Sequence, residues 1–528
     1  MNDAVDAHHA RIDLAKTLVV VALVAVIAVA CGGTGKTEHT TRASTSPPSS
    51  RDNVSGRAAI SGQAAATTRT NTWTGDFDAL LKRRMIRILV PYSPTLFYHD
   101  QGRAYGVIAA AGVELEKFLN TKYRDKRPFT VVMVPTTRDR LLQGLVDGEG
   151  DAAAGSLTIT AARLKKYDFT TPTFTNVDQV FVTGPGAPRL RSLDDLAGQT
   201  IYVRRSKSFY GHLLELNERF EHPDAPRRPL PPMKIELLPD ELESEDVLDM
   251  VNVGLVRIAV CEDWLADIWS THLPNVRVRN DLVLSERTEL GWAMRHKSPK
   301  LKAVLDEFVT AARANGVFNY VLAGAQANER HLRNAAGRGE MRKFEATIGL
   351  FRKYAQQYQF DHLMLAAQGY QESRLDQRAK SRVGAIGIMQ VMPATGAEMQ
   401  VGNIRLAEPN IHAGTKYLAR LMDRYFDGAH FDEQNRNLFA FAAYNAGPAN
   451  ISKVRRQAMT EGVNPDVWFN QVEHVAARMM GQETVRYVRN VFKYYVAYTL
   501  AQETESQRTE ALQRLKSESK DATGDGES

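Results

Sequence analysis

Apolar and polar positions follow four different patterns along this chain, and each predicts a different kind of structure. Leu18–Ala30 is an unbroken apolar run preceded by Arg11 and Lys16. It is too short to cross a bilayer comfortably as a helix and has the form of a signal-peptide core. From 32 to 72 the chain is rich in Thr, Ser, Arg, Gly and Ala, with Pro47-Pro48 and no apolar period, the pattern of a flexible tether. From Met85 short apolar runs alternate with amphipathic ones. Ile86–Val90 (ended by Pro91) and Phe129–Val134 read as strands, Ala109–Leu119 and Thr137–Leu145 as helices, and His99-Asp100-Gln101-Gly102 as a turn. A second such series starts at Gln199–Val203 and runs to about Val260. Strands alternating with helices predict a parallel α/β sheet. After Ala335–Gly339 the period changes again. Phe344, Ile348, Phe351, Ala355 and Tyr358 recur at steps of three and four, one apolar helix face. Asp361 stands where it caps the next helix, and further helices fit Asn410–Tyr425, Asn437–Asn445 and Glu483–Thr499. This last region reads as all-α. Beyond Gln502 the chain is charged and polar.

These patterns set expected boundaries: a signal peptide over 1–31, a linker over 32–79, an α/β module over 80–325, a helical domain over 340–502 and a disordered tail over 503–528. A length of 528 residues exceeds one core and agrees with several lobes. Net charge is +6, but Lys and Arg are scattered rather than blocked, so a nucleic-acid partner is not expected.

Only two cysteines occur, Cys31 and Cys261, which make no disulfide framework. Cys31 closes the apolar run in the order Ala28-Val29-Ala30-Cys31-Gly32, which resembles a bacterial lipoprotein processing site. The resemblance implies lipidation at Cys31 and an anchor in a membrane. A short uncleaved anchor or a simple secretory signal are the alternatives, and all three place the body outside the cytoplasm. Gly32 stands where an inner-membrane retention signal places Asp, which favours the outer membrane. Cys261 reads as a buried core thiol.

The densest chemistry lies in QESRLDQRAKSRVGAIGIMQVMPAT, Gln371–Thr395, followed by AAYNAG at Ala442–Gly447 and by Glu483-Thr484 with Tyr487. One acid, Glu372, stands at the end of a predicted helix in a Gly-rich, Met- and Gln-containing setting, without a paired carboxylate. An isolated helical glutamate is ordinarily a solvated face. The ordered company of this one sets it apart. His362, His412, His430 and His474 lack ligand spacing, so no metal and no cofactor are expected.

This region resembles the catalytic domain of soluble-lytic-transglycosylase-type murein enzymes of the lysozyme-like superfamily. The resemblance implies that Glu372 is the acid, then the base, of a cleavage that closes a 1,6-anhydro ring without water. That role calls for a carboxyl raised by burial. It further implies that Ser381, Gln390, Met392, Tyr444, Asn445, Glu483 and Tyr487 line the substrate groove. For Glu483 the plain alternative is a helix-start acid.

The region 80–322 resembles the family 3 extracellular solute-binding proteins. The stretches that carry the resemblance are YHDQGRAYGV (Tyr98–Val107), GDAAAGSLTITAARLKKYDFTTP (Gly150–Pro172), LAGQTIYVRRSKS (Leu196–Ser208) and GWAMRHKSPKLKAVLDEF (Gly291–Phe308). It implies two lobes with a ligand cleft between them. Thr158 and Arg163 then hold a ligand carboxylate, Ser206 and Ser208 close from the second lobe, and Asp263 takes an amino group. The alternatives are a surface ion pair of Arg163 with Asp168 and a helix cap for Asp263. The implied whole is a two-lobed α/β periplasmic-binding-protein-like module followed by an all-α lysozyme-like domain. Its implied partners are glycan strands of peptidoglycan, a muropeptide or amino-acid ligand at the first module, and a membrane through the lipid. Two other functions remain open to the sequence: a muramidase that uses water, and a non-catalytic cell-wall receptor.

Overall fold

A computed structural model of the chain describes residues 72–100, 102–320 and 338–524. Cys31, the signal peptide and most of the 32–79 linker lie outside the described residues. Packing of the first module begins upstream of residue 80. Asp76 caps the helix Phe77–Arg83 through its side chain. Trp73 lies under the guanidinium of Arg83, 4.0 Å from its ring centre, and its amide bonds the Gly148 carbonyl.

The module's strands are β1 (Met85–Val90), β2 (Tyr98–Asp100), β3 (Arg103–Tyr105), β4 (Thr130–Pro135), β5 (Ala152–Thr158), β6 (Tyr167–Phe169), β7 (Phe174–Thr183), β8 (Thr200–Arg204), β9 (Lys234–Leu238), β10 (Ile258–Glu262) and β11 (Arg277–Arg295). Nine form one sheet in the order β4-β1-β5-β11-β7-β10-β8-β9, with β6 also on β11. β1 is parallel to β4 in register Met85↔Thr130 and to β5. Its residues from Ile86 onward are buried, as an apolar run without alternation requires in a parallel sheet covered on both faces. β8 is likewise parallel to β9 and β10. The long strands β7 and β11 run antiparallel between these two blocks, with register shifts between Arg279 and Leu290. Two parallel blocks joined by two long strands make two lobes. Ile86, Ile88, Leu115 and Leu305 fill the core of the first, and Ile201, Leu213, Leu216 and Ile258 that of the second. Where a turn is expected from His99, His99 and Asp100 instead belong to β2, which pairs with β3 in a small antiparallel hairpin.

Beyond β11 the described residues hold helices and isolated bridges, with no strand. Pro299–Ala314 and Val317–Tyr320 follow β11, and the helical domain then holds Arg338–Tyr358, His362–Ser373, Pro393–Met399, Ala407–Tyr425, Glu433–Ala446, Pro448–Thr460, Glu473–Met480 and Gln482–Gly524, with a short kinked turn at Trp468–Val472. Phe344, Phe351 and Ala355 of Arg338–Tyr358 are buried, as their spacing predicts. The last helix passes through the expected boundary at 502, so residues 503–524 are helical where a disordered tail is expected.

The helical domain shares its core with the second lobe. Leu248, Val251 and Leu265 belong to one buried cluster with Phe351, Leu365 and Phe441. Charge fixes the same seam. Arg489 grips Glu473 through Nε and Nη2 at 3.1 and 2.9 Å, reaches Asp246 at 3.3 Å and the Glu241 carbonyl at 3.0 Å, and lies over the Tyr92 ring. Lys493 meets Asp246 at 3.0 Å and Asp249 at 3.1 Å. Tyr92 and Gln482 add hydrogen bonds across the seam to Asn470 and to His99 and Asp100. The acids raise both cations' affinity for their protons against the desolvation that opposes it.

Candidate active site

The helix His362–Ser373 starts on Asp361, whose carboxylate accepts from Leu363 N and Met364 N at 2.7 and 2.8 Å. It ends abruptly. Arg374 and Leu375 both take left-handed conformations (φ 60 and 55), a strain of roughly 1–2 kcal/mol for each non-glycine residue. Arg374 N bonds the Tyr370 carbonyl, and Leu375 is buried, so local contacts hold the turn. Ser373 Oγ ties the helix end to the Ile388 carbonyl at 2.9 Å and accepts from Asp376 N. It supports the turn.

Glu372 occupies this last turn, half-buried. Tyr487, from the Gln482–Gly524 helix, donates its hydroxyl to Glu372 Oε1 at 2.6 Å. The fully buried Gln368, one turn back, donates to Tyr487 Oη at 3.4 Å. Burial pushes the Glu372 carboxyl up to about 7, against the opposing pull of the Tyr487 hydrogen bond. No other charged group among the described residues contributes to that shift. Tyr444 is the third member: its hydroxyl bonds the Met389 carbonyl at 2.6 Å. Burial, then the Glu372 charge, drives both phenols well above their ordinary range, so both remain donors at neutral pH.

The loop between 376 and 392 forms the adjoining wall. Ser381 Oγ accepts from Ala385 N at 2.9 Å, and the two residues also pair through their backbones. Gln390, at φ 48, donates its amide to the carbonyls of Gly387 and Ala379 at 2.9 and 3.3 Å. Gly387 has φ 77, and a Cβ there would meet Asn410 and Gln377 at 2.6 Å, so this position needs glycine. Met392 is 41% exposed at the start of the Pro393–Met399 helix. Asn445 accepts from Thr484 Oγ1 at 3.0 Å, joining the two helices beside the site, and Glu483 is exposed in the first turn of its helix. Sequence reasoning missed Asn410. It is fully buried, donates to the Ile386 and Ile404 carbonyls and accepts from Met389 N, and so clamps the loop. A single Asn in an amphipathic helix carries no signal that distinguishes it from a solvated residue.

The lobe cleft is arranged otherwise. Arg163, expected to take a ligand carboxylate, donates to the carbonyls of Thr158 (2.8 Å) and Ser206 (3.1 Å). It makes no ion pair with Asp168, which meets His296 at 3.1 Å. Desolvation, then the nearby Arg138 charge, lowers the Arg163 guanidinium to about 10. Ser208 Oγ donates to Thr158 Oγ1 at 3.0 Å, and Ser206 Oγ to Asp240 at 2.5 Å. Asp263 turns onto its own helix, accepting from Trp264 N at 2.8 Å, with a carboxyl raised to about 6 by burial. The acid that enters the cleft is its neighbour Glu262, fully buried and held by Lys207 at 2.7 Å and Ser156 Oγ at 3.3 Å. Beside it Arg138 of the first lobe and Arg204 of the second converge on Glu243 at 2.7 and 3.1 Å, all three buried.

The sequence profile of the transglycosylase SLT domain matches residues 349–467, and that of bacterial extracellular solute-binding proteins, family 3, matches 86–323. The chain is 28% identical over 450 residues to membrane-bound lytic murein transglycosylase F 1 of Alkalilimnicola ehrlichii, covering 79% of this chain and 84% of that protein. It is 27% identical over 459 residues to membrane-bound lytic murein transglycosylase F of Ectopseudomonas mendocina, covering 81% and 87%. Among solved structures it is similar to an amino acid ABC transporter substrate-binding protein of Streptococcus pneumoniae bound to L-arginine. That match has a TM-score of 0.38 and 17% identity over 47% of this chain and 97% of the other, a likeness too loose to carry function. A solute-binding module and an SLT domain are thus joined in one chain, and over about four-fifths of its length the chain is similar to the membrane-bound lytic murein transglycosylase F proteins.

Proposed function

We propose that this chain cleaves the β-1,4 bond between N-acetylmuramic acid and N-acetylglucosamine in peptidoglycan and leaves 1,6-anhydromuramyl ends. The observation that carries this reading is the Glu372 carboxyl, raised to about 7 and touched by Tyr487 with no second carboxylate acting on it. A group with that affinity is protonated often enough to be an acid near neutral pH and releases its proton readily enough to be a base afterwards. Protonated Glu372 gives its proton to the glycosidic oxygen as the bond to the muramyl C1 breaks through an oxocarbenium-like state. The resulting carboxylate takes the proton of the C6 hydroxyl, and O6 closes on C1. Atoms balance without water, so the second carboxylate of a hydrolase has no task. Tyr487 occupies Oε1 and leaves the other oxygen for the travelling proton. Gln390, Met392, Tyr444, Asn445 and Glu483 contribute to the groove, and Ser381 shapes it by closing its loop.

The first module binds a small ligand of cell-wall origin, a muropeptide or amino acid, and regulates cleavage during wall remodelling. Thr158, Arg163, Ser206 and Ser208 sit at the lobe contact, and such a ligand displaces hydrogen bonds that these groups now give one another. The enzyme faces the periplasm, anchored through a lipidated Cys31 in the outer membrane. No described helix is long and apolar enough to cross a membrane.

Mass spectrometry of peptidoglycan digested by the chain, beside Glu372→Gln, tests the reaction. Anhydro products from the native chain alone support it. Reducing ends, one water heavier, overturn it in favour of hydrolysis. Turnover that does not respond to saturating cell-wall peptides removes the regulatory part.

A further inference from the structure

Directly after Glu372 the chain carries Arg374, Arg378, Lys380 and Arg382 against a single acid, Asp376. All four cations are exposed. Arg378 is 92% exposed at its side chain and touches Asp376 at 3.3 Å. Lys380 and Arg382 make no ion pair among the described residues. At the tip Val383 is 78% exposed, an unusual place for a β-branched apolar side chain.

This arm is stiff, which separates it from an ordinary solvated charge run. Backbone bridges join Lys380 to Ile386 and Ile386 to Val391. Ser381 closes the tip on Ala385 through backbone and side chain. The Ala379 carbonyl receives Gly387 N at 2.9 Å and the Gln390 amide at 3.3 Å. At its root Gln377 bonds the Ile404 carbonyl and Ile388 N. The other strip of the same arm holds Met389, whose carbonyl takes Tyr444, and Ile388, whose carbonyl takes Ser373. The cations are therefore mounted on the wall of the groove that contains Glu372.

Rigid mounting matters because an exposed ion pair is weak mainly through the entropy of ordering long side chains and through screening. A fixed backbone adds no loop-ordering cost to those, and several cations in a row raise the rate of encounter with an anion. In a peptide-bearing strand the lactyl carboxyls of the muramyl residues are held in amide bonds, so the glycan itself adds no charge. The short peptides borne on its muramyl residues end in and carry free carboxylates.

We propose that the 374–383 arm is a recognition surface for the carboxylates of these peptides, so that the enzyme cuts peptide-bearing strands in preference to bare glycan. Arg378, Lys380 and Arg382 supply the charge, and Val383 an apolar contact for the peptide's methyl groups. The inference rests on the peptidoglycan-cleaving function.

The test compares the full chain with the triple variant Arg378→Gln, Lys380→Gln, Arg382→Gln on two substrates: intact strands, and the same strands stripped of peptide by an amidase, with the lactyl carboxylates that the amidase exposes then capped as amides. On intact strands the variant's kcat/KM falls about tenfold, the sum of a few exposed charge contacts, and its salt dependence flattens. On stripped strands native and variant are equal. Equal losses on both substrates overturn the proposal and make the arm part of the groove's own scaffold. No loss on either overturns it in favour of a solvated face. A native chain that cuts neither substrate removes the peptidoglycan reading itself, a result separable from failure of the arm alone.

Discussion

Glu372 in the groove and Glu243 and Glu262 in the lobe cleft are the same residue type, all withdrawn from water, yet their carboxyls move in opposite directions. Glu372 has a phenol for company and no cation, and burial drives it up to about 7. Burial also acts first on Glu243 and Glu262, but Arg138 with Arg204, and Lys207, outweigh it and hold both acids low. Desolvation favours the neutral form, and a neighbouring cation restores the charged one. The difference separates an acid left without a cation from acids that have theirs. The groove keeps a carboxyl that holds its proton for want of a counter-charge. The cleft has supplied its own counter-charges, and an incoming ligand must compete with them.

Four predictions from three substitutions bear on that contrast. Glu372→Gln removes the proton carrier, and turnover should fall by about a thousandfold or more, read from the release of anhydro products. Glu243→Ala strands Arg138 and Arg204 without their acid. The expected loss is about 3–5 kcal/mol of stability, measured by urea unfolding with retained anhydro activity per folded molecule. A smaller loss would mean that water already reaches the cleft and that the lobes are only loosely shut. The third prediction reverses the usual cost of mutation. Glu372 keeps its proton in the folded chain up to about 7, against 4.5 when unfolded. The folded state thus binds more protons between those values, and stability drains away as pH rises through that window. Glu372→Gln should be more stable than the native chain by roughly 2–3 kcal/mol at pH 8 and indistinguishable at pH 4. The smallest effect belongs to Tyr487→Phe. Losing a hydrogen bond that favours the carboxylate raises the Glu372 pKa further. The alkaline limb of kcat then moves to higher pH while kcat at pH 7 drops about tenfold, a typical share for one charge-assisted hydrogen bond. An unmoved limb would assign that limb to another group.

Periodicity made the frame legible. The unalternating run at Ile86–Val90 and the three-four spacing from Phe344 are strong because each is long or pure in type. The helices Pro393–Met399, Pro448–Thr460 and Glu473–Met480 gave no such signal. The first is barely two turns, and each begins after Pro, Gly or an irregular turn rather than on a side-chain cap. Glu372, Tyr444 and Tyr487 are singled out by the order of their motifs and the resemblance these carry, and the structure brings the three together. The site was illegible where two like residues are adjacent. Glu262 ends a strand and Asp263 begins a helix, and only the turn between them decides which acid enters the cleft. The cations that satisfy Glu243 come from residues 138 and 204, too far apart in sequence for any local pattern to pair them.

The helix that begins at Gln482 offers Tyr487 to Glu372 on one side and Arg489 and Lys493 to Asp246 and Asp249 on the other. The acid it bonds at the candidate site and the acids that anchor it therefore belong to different halves of the chain. A foreign first half without the two aspartates would leave Lys493 without the acids it pairs with and Arg489 with Glu473 of its own half. One helix is thus common property of both halves, and a laboratory chimera that replaces the first will have to supply aspartates at positions 246 and 249 to seat it.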